Sequence, residues 1–133
     1  MAVEPDGGDI RVTVGGETIE LSREHAAELR DAVGDALTRR EEFFRTAYEH
    51  REDGSYVVER RSADSSGNST VFDSFADVRR LFERLPETFG AEDLSAAGVT
   101  GSRRHMLVRH FAEHPEFACT LASRNPLEAE KTG

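Results

Sequence analysis

Apolar and polar residues alternate with a period of two near the start of the chain, and this pattern predicts a β-hairpin. The apolar positions are Ile10, Val12 and Val14 before Gly15-Gly16, and Ile19 and Leu21 after it. A two-residue Gly-Gly loop pairs Val12 with Ile19 and Arg11 with Glu20. One face of the hairpin is then mostly apolar, and the other carries a Thr pair and an ion pair. Residues 1–8, rich in Gly and Pro, are expected to form a disordered lead-in.

The pattern then changes to the period of a helix. Ser22 offers an N-cap, and an apolar stripe follows at Ala26, Leu29, Val33, Ala36 and Leu37, which predicts an amphipathic helix over 23–39. Residues 43–51 can extend this stripe or alternate as a strand. The hairpin turn Asp53-Gly54 favours the strand, with Tyr48 across from Val58 and His50 across from Tyr56. Strands over 56–61 and 69–72, separated by a polar loop over 63–68, complete a three-stranded antiparallel meander.

The C-terminal part has the pattern of three helices and a strand pair. Ser74 caps a helix that ends at Pro86, and its apolar stripe contains Phe75, Val78, Leu81, Phe82 and Leu85. A short helix over 91–96 stops at Gly98, and Thr100 or Ser102 caps a helix that runs to Glu113 or His114. Strands over 117–122 and 127–131 flank an Asn125-Pro126 turn. The order helix, turn, helix and strand pair predicts a winged-helix-like segment over 85–131.

The elements together predict one α+β domain over residues 9–131. It contains the N-terminal β-hairpin, the amphipathic helix, the three-stranded antiparallel meander and the winged-helix-like C-terminal segment. A chain of 133 residues is long enough to bury one core.

The charge composition indicates the ionic environment in which the protein works. Arg accounts for 16 of the 17 basic residues, with Lys131 alone, against 26 Asp and Glu and a net charge of −9. A carboxylate-rich surface almost without Lys suits a very salty cytosol, where screening weakens self-repulsion. An acidic protein from a GC-rich genome is the alternative. No apolar run approaches the roughly 20 residues that span a bilayer, so we expect a soluble, cytoplasmic protein with no membrane association.

The charge reverses locally over 100–114, where Glu113 is the only acid. On a helical wheel Leu107, Val108 and Phe111 face the core, while Arg103, Met106, Arg109 and His110 lie on or near the opposite side. The second helix of a helix-turn-helix presents its N-terminal residues to DNA bases. We therefore expect a regulator whose basic helix at 102–114 binds DNA or RNA. Its candidate contacts are Ser102, Arg103, Arg104, His105, Arg109 and Arg124.

Two alternatives to nucleic-acid binding remain open. The basic helix can pair with carboxylates on its own surface, or with an acidic protein partner or a second copy in a homodimer. If the three histidines His105, His110 and His114 contact phosphate, affinity should rise below about pH 6.5.

Metal and enzyme chemistry have weak support. His110 and His114 share a helix face and Cys119 follows, but His105 points away, which leaves three ligands where a structural zinc site needs four. No phosphate-binding Gly-rich loop, nucleophile elbow or His-Glu-x-x-His motif is present. We therefore expect no metal, no cofactor and no catalytic activity.

Several segments resemble an uncharacterised family of small acidic proteins in haloarchaea. They are residues 53–58, 71–75, 85–94, 101–111 and 114–117. The resemblance spans residues 10–131 and implies a halophilic archaeal source. The resemblance does not imply any particular activity.

Overall fold

The computed structural model describes residues 1–61 and 69–133, so the polar loop expected over 63–68 lies outside the described residues. Two compact units make up the chain, Met1–Leu37 and Thr38–Gly133, whereas the sequence predicted one domain over 9–131. Both combine helices with antiparallel strands, which confirms the α+β class. In the described part of the chain, no helix is long and apolar enough to cross a membrane.

The first unit is a three-stranded sheet followed by one helix. Its strands are β1 (Ala2–Asp6), β2 (Asp9–Val14) and β3 (Glu17–Ser22), in the order β1-β2-β3, and α1 covers Arg23–Leu37. The predicted hairpin register is confirmed, with Val12 opposite Ile19 and Arg11 opposite Glu20. The prediction of a disordered lead-in is wrong, because Val3 pairs with Val12 and continues the hairpin's apolar face into a third strand.

Helix α1 begins as predicted but buries little of its apolar stripe. The Ser22 hydroxyl accepts a hydrogen bond from the His25 backbone N–H at 3.1 Å, as an N-cap should. Gly34 is the only buried residue of the helix. Leu29, Val33 and Leu37 therefore remain about half exposed.

The second unit begins with a four-stranded antiparallel sheet. Its strands are β4 (Arg39–Glu42), β5 (Thr46–His50), β6 (Tyr56–Arg60) and β7 (Ser69–Phe72), in that order. Residues 46–50 are strand, and Tyr48 lies opposite Val58 and His50 opposite Tyr56, as predicted. The fourth strand, β4, was missed because its sequence Arg-Arg-Glu-Glu has no apolar alternation.

The rest of the second unit carries three helices and a second sheet. These are α2 (Phe75–Arg84), β8 (Thr88–Gly90), α3 (Ala91–Ala96), α4 (Arg103–Glu113), β9 (Cys119–Arg124) and β10 (Leu127–Lys131). The sheet order is β8-β10-β9. The winged-helix-like arrangement predicted for 85–131 is not supported, because β8 pairs with β10 and extends the predicted strand pair into a three-stranded sheet.

Helix α4 runs through the core of the second unit. It contacts β5 and β6 of the four-stranded sheet as well as β8, β9 and β10. Its buried residues are Met106, Leu107, Val108, His110 and Phe111. The helical wheel wrongly placed Met106 and His110 on an exposed side, because it assumed one packing surface where the helix has two.

Candidate nucleic-acid interface

A hydrogen-bonded clamp fixes the start of β5 against the end of α4. The Glu113 carboxylate accepts hydrogen bonds from the backbone N–H groups of Arg45 and Thr46, at 2.8 and 2.9 Å. It also accepts one from the Thr46 hydroxyl at 2.7 Å. These bonds hold the backbone of Arg45 beside the last turn of α4, and they occupy the only carboxylate of that helix.

A groove of about 1130 Å³ opens next to this clamp. Its lining comes from the β4–β5 turn, the end of β6, the start of α3, helix α4 and the β9–β10 turn. Its basic lining residues are Arg45, Arg60, Arg61, His105, Arg109 and Arg124. Its acidic lining residues are Glu92 and Asp93 of α3 and Glu128 of β10.

Four of these arginines form what we call the arginine cluster: Arg45, Arg60, Arg109 and Arg124. Within residues 1–61 and 69–133, none of the four forms an ion pair with a carboxylate. Arg61, their neighbour in the groove, does pair with Glu42 at 3.2 Å. The cluster is therefore a concentration of positive charge without ion-pair partners among the described residues, in a protein whose net charge is −9.

The electrostatics of Arg109 reflect this crowding. Partial burial lowers the pKa of its guanidinium below the usual value, and the positive charges of Arg45 and Arg124 lower it further. Glu113 acts in the opposite direction. Arg109 stays charged at any physiological pH, so its repulsion with the neighbouring arginines persists.

Most arginines outside the cluster are paired. In the part of the chain that the structure describes, eight of these twelve form ion pairs with carboxylates: Arg11, Arg30, Arg39, Arg40, Arg51, Arg61, Arg79 and Arg80. Arg40, for instance, pairs with both Glu42 and Glu59. Ion pairing is therefore the commoner state of arginines outside the cluster, whereas no member of the cluster has a carboxylate within ion-pair distance among the described residues.

The structure brings only part of the predicted site together. His105, Arg109 and Arg124 line the groove. Arg103 instead lines a separate, smaller groove formed with α2 and β7. Arg104 donates hydrogen bonds to the Gly101 carbonyl at 3.0 Å and the Ser95 hydroxyl at 2.9 Å, which fixes the turn between α3 and α4.

Ser102 differs from its predicted role. It occupies the N-cap position of α4 but has helical backbone angles, φ −66° and ψ −16°, and its side chain makes no capping hydrogen bond. An N-cap residue normally has an extended backbone, which aims its hydroxyl at the first helical N–H groups. The helical conformation of Ser102 removes that geometry.

The remaining histidines of α4 are structural. His110 is fully buried, with Nδ1 at 3.2 Å from the Thr46 hydroxyl and Nε2 at 2.6 Å from the Tyr56 hydroxyl. Burial lowers the His110 pKa to about 3. His114 is also buried, its Nδ1 accepts a hydrogen bond from the Glu116 N–H at 3.1 Å, and burial lowers its pKa. Both rings are therefore neutral at physiological pH, and His105 is the only one of the three histidines available to an anion.

Metal binding receives no geometric support from these histidines. Both ring nitrogens of His110 lie within hydrogen-bond distance of protein hydroxyls. In the described part of the chain, no three His, Cys, Asp or Glu side chains are arranged to hold a metal ion. Cys119 is buried, and burial raises its pKa to about 11, so its thiol is protonated.

Sequence reasoning missed Phe44, Arg45, Arg60 and Arg61 as site residues. The signal that locates them is the strand register. Thr46 lies opposite Arg60, and the Arg61 N–H donates to the Arg45 carbonyl at 2.9 Å. Extending the predicted Tyr48–Val58 pairing by one step on the same face reaches Thr46 and Arg60. The proximity of this strand end to α4 had no local signal, because Thr46 and Glu113 are 67 residues apart.

Comparison with known proteins identifies the family but no activity. No functionally curated protein and no solved structure matches the chain. A family model described as "Family of unknown function (DUF7528)" matches residues 21–131. Because this match covers most of the 133 residues, the chain belongs to that family of unknown function.

Proposed function

We propose that this protein binds nucleic acid and that the arginine cluster, with His105, is its phosphate-binding surface. The observation that carries the proposal is the convergence of Arg45, Arg60, Arg109 and Arg124 without a carboxylate partner among the described residues. The rest of the chain supplies abundant acids, and eight of the twelve arginines outside the cluster form ion pairs with them in its described part.

The arginine cluster is complementary to a polyanion. Like charges held close together destabilise a protein by an amount that an anionic ligand removes on binding. Guanidinium groups form bidentate hydrogen bonds to phosphate oxygens, which a point-charge ammonium group does not. A chain of phosphates offers successive oxygens along its length, so it can contact all the arginines of the cluster at once.

The packing of α4 restricts the binding mode. Helix α4 is packed against two sheets, and Arg103 and His105 are its only exposed residues. Insertion of α4 into a major groove would require an exposed helix face. We therefore place the contact in the arginine groove.

The setting we propose is the cytosol of a halophile, where the protein acts as a small regulator. High salt weakens the counterion-release contribution to nucleic-acid affinity. Short-range bidentate Arg–phosphate hydrogen bonds are less sensitive to screening than long-range attraction. A cluster made only of arginines, in a chain with a single lysine, is consistent with binding under these conditions.

Fluorescence anisotropy with labelled DNA and RNA tests the proposal. Wild type is compared with the double variant Arg109→Gln plus Arg124→Gln, and with the control Arg23→Gln plus Arg84→Gln, which removes the same charge outside the groove. We expect the groove variant to lose about 10-fold or more in affinity and the control to lose about 2-fold or less. Absence of wild-type binding to single-stranded and duplex DNA and RNA at about 0.2 M KCl overturns the proposal.

The second candidate function is a protein-interaction module, and the first unit favours it. Its sheet exposes Val3, Val14 and Ile19, and α1 exposes Leu29, Val33 and Leu37, each between 45% and 61% exposed. At about 60 Å² each, these side chains leave on the order of 350 Å² of exposed apolar area in total, which is comparable with the area of known interaction patches.

We propose a second copy of this chain as the partner for that surface. An apolar patch is complementary to itself in a twofold-symmetric pair, and such pairs are the commonest soluble oligomers. Sedimentation equilibrium in molar KCl should give a dimer for wild type and a monomer for Val33→Glu. A monomeric wild type across the micromolar range overturns this second candidate without affecting the arginine groove.

A further inference from the structure

We propose that the arginine groove takes single-stranded nucleic acid in preference to duplex, and that Phe44 is the platform on which one base stacks. This inference rests on the proposed nucleic-acid binding and adds the class of substrate. It is carried by the position and exposure of a single aromatic ring.

Phe44 is the only strongly exposed phenylalanine of the eight in the chain, all of which the structure describes, and its exposure is 80%. The other seven are buried or half-buried, and Phe43 packs into the aromatic core beside Tyr48 and His114. An exposed ring of this size loses the favourable free energy of burial. The adjacent Phe43 shows that a side chain from this turn can reach the core.

The backbone of the β4–β5 turn sets this orientation. The Phe43 N–H donates to the Thr46 carbonyl at 2.7 Å, and the Arg61 guanidinium donates to the Phe43 carbonyl at 2.9 Å. The Glu113 carboxylate holds the next two N–H groups, those of Arg45 and Thr46. Phe44 therefore projects from a turn whose flanking residues are all hydrogen-bonded, and its backbone is fixed before any ligand binds.

Phe44 and the arginine cluster line the same groove. The ring lies within the lining that includes Arg45, Arg109 and Arg124, and the Arg45 guanidinium carbon is 5.4 Å from the Phe44 ring centroid. Base stacking on an aromatic side chain, combined with cations that follow the phosphates, is the general mode of single-strand binding. The groove offers both parts in one lining.

Two properties of the groove favour a single strand over the alternatives. Base faces are free in a single strand but stacked on one another in a duplex, so Phe44 can reach a duplex base only after costly unstacking. The groove, at about 1130 Å³, lies at the upper end of pocket sizes. It therefore has room for a short stretch of chain.

The absence of tryptophan makes a direct test available. Phe44→Trp introduces the only Trp of the chain, and a base stacked on it quenches its fluorescence. Affinities for labelled single strands of about 12 nucleotides, and for the matching duplex, are measured by anisotropy with wild type, Phe44→Ala, Phe44→Trp and the control Val71→Ala. Val71 is an exposed apolar residue outside the groove, at 57% exposure. Circular dichroism establishes that each variant is folded.

We expect wild type to bind the single strand at least about 10-fold more tightly than the duplex. Phe44→Ala should lose about 10-fold in single-strand affinity, with Phe44→Trp and Val71→Ala close to wild type. The indole fluorescence of Phe44→Trp should be quenched at saturation.

Three results overturn the inference. They are unchanged single-strand affinity in Phe44→Ala, no quenching in Phe44→Trp at saturation, or equal or tighter binding of the duplex. If Phe44→Ala binds normally while Arg109→Gln plus Arg124→Gln does not, the stacking inference fails and the proposed function stands. If wild type binds no nucleic acid, both fail.

Discussion

Glu113 accepts two hydrogen bonds from Thr46, one from its backbone N–H at 2.9 Å and one from its hydroxyl at 2.7 Å. This contact joins α4 to the first residue of β5, across 67 positions of sequence. It also explains why Arg109, four residues before Glu113 on the helix, forms no ion pair with that carboxylate and feels only its more distant attraction. The carboxylate that would normally pair with a residue at that spacing is occupied by Thr46 and by the Arg45 N–H.

Removing this clamp should destabilise the fold. In Glu113→Gln the amide accepts fewer hydrogen bonds than a carboxylate and loses their charge-assisted strength, so the free energy of unfolding should fall by about 2 kcal/mol. Chemical denaturation measures this change. Glu130→Gln, at an exposed position of β10, serves as the control. A loss below about 0.5 kcal/mol in Glu113→Gln would show that the clamp contributes no more than a surface contact.

Stability should decrease in acid because of His110. Its folded pKa of about 3 lies below the ordinary value of 6.5, so the neutral ring stabilises the fold above pH 6.5 and this contribution is lost as pH falls from 6.5 toward 3. Between pH 7.5 and 5.5, His110 alone should lower the free energy of unfolding by about 1.4 kcal/mol. The lowered pKa of His114 acts in the same direction.

Denaturation curves at the two pH values, repeated with His110→Gln, check this assignment. The variant should be less stable at pH 7.5 but should show a smaller fall on acidification. An equal fall in both proteins would assign the pH dependence to other groups.

Repulsion within the arginine cluster should lower the free energy of unfolding of the ligand-free protein. Arg109→Gln removes repulsion with Arg45 and Arg124, so the variant should be as stable as wild type or more stable by up to about 0.5 kcal/mol at low salt. Arg40→Gln breaks ion pairs with Glu42 and Glu59 and should lower stability by about 0.5 kcal/mol. Thermal unfolding at about 0.1 M KCl compares the two. Equal losses in both variants would mean that Arg109 is paired in solution.

Salt should stabilise the whole protein if it comes from a salty cytosol. A net charge of −9 on 133 residues repels itself at low ionic strength, and screening at about 1 M or more removes most of this repulsion. The Tm should therefore rise steadily from about 0.1 to 2 M KCl. A Tm that is flat over this range would remove the argument for a halophilic setting.

The sequence predicted those parts of the fold that depend on local periodicity. The hairpin register at Val12 and Ile19, the meander register at Tyr48 and Val58, and the Ser74 cap of α2 all follow from residues close together in the chain. The Ser74 hydroxyl indeed accepts from the Asp77 N–H at 3.2 Å. Strands β4 and β8 were missed because each is short and one has no apolar residue.

The candidate site was predicted only in part, for a related reason. Arg109 and Arg124 stood out because the local charge reverses around α4. Arg45 and Arg60 belong to the groove only because β5 packs on that helix, a tertiary contact with no signature in either segment. The exposed position of Phe44 was equally hidden, since the adjacent Phe43 has the same side chain and packs against the core.

The salt dependence of binding tests the central claim most directly. The logarithm of the association constant for a labelled single strand of about 12 nucleotides is measured against the logarithm of KCl concentration, with wild type and with Arg109→Gln plus Arg124→Gln. If both arginines contact phosphates, the slope should become shallower by about 1.4 in the variant, together with the loss of affinity. Equal slopes, or no binding by wild type, would contradict the assignment of the arginine cluster as a nucleic-acid interface.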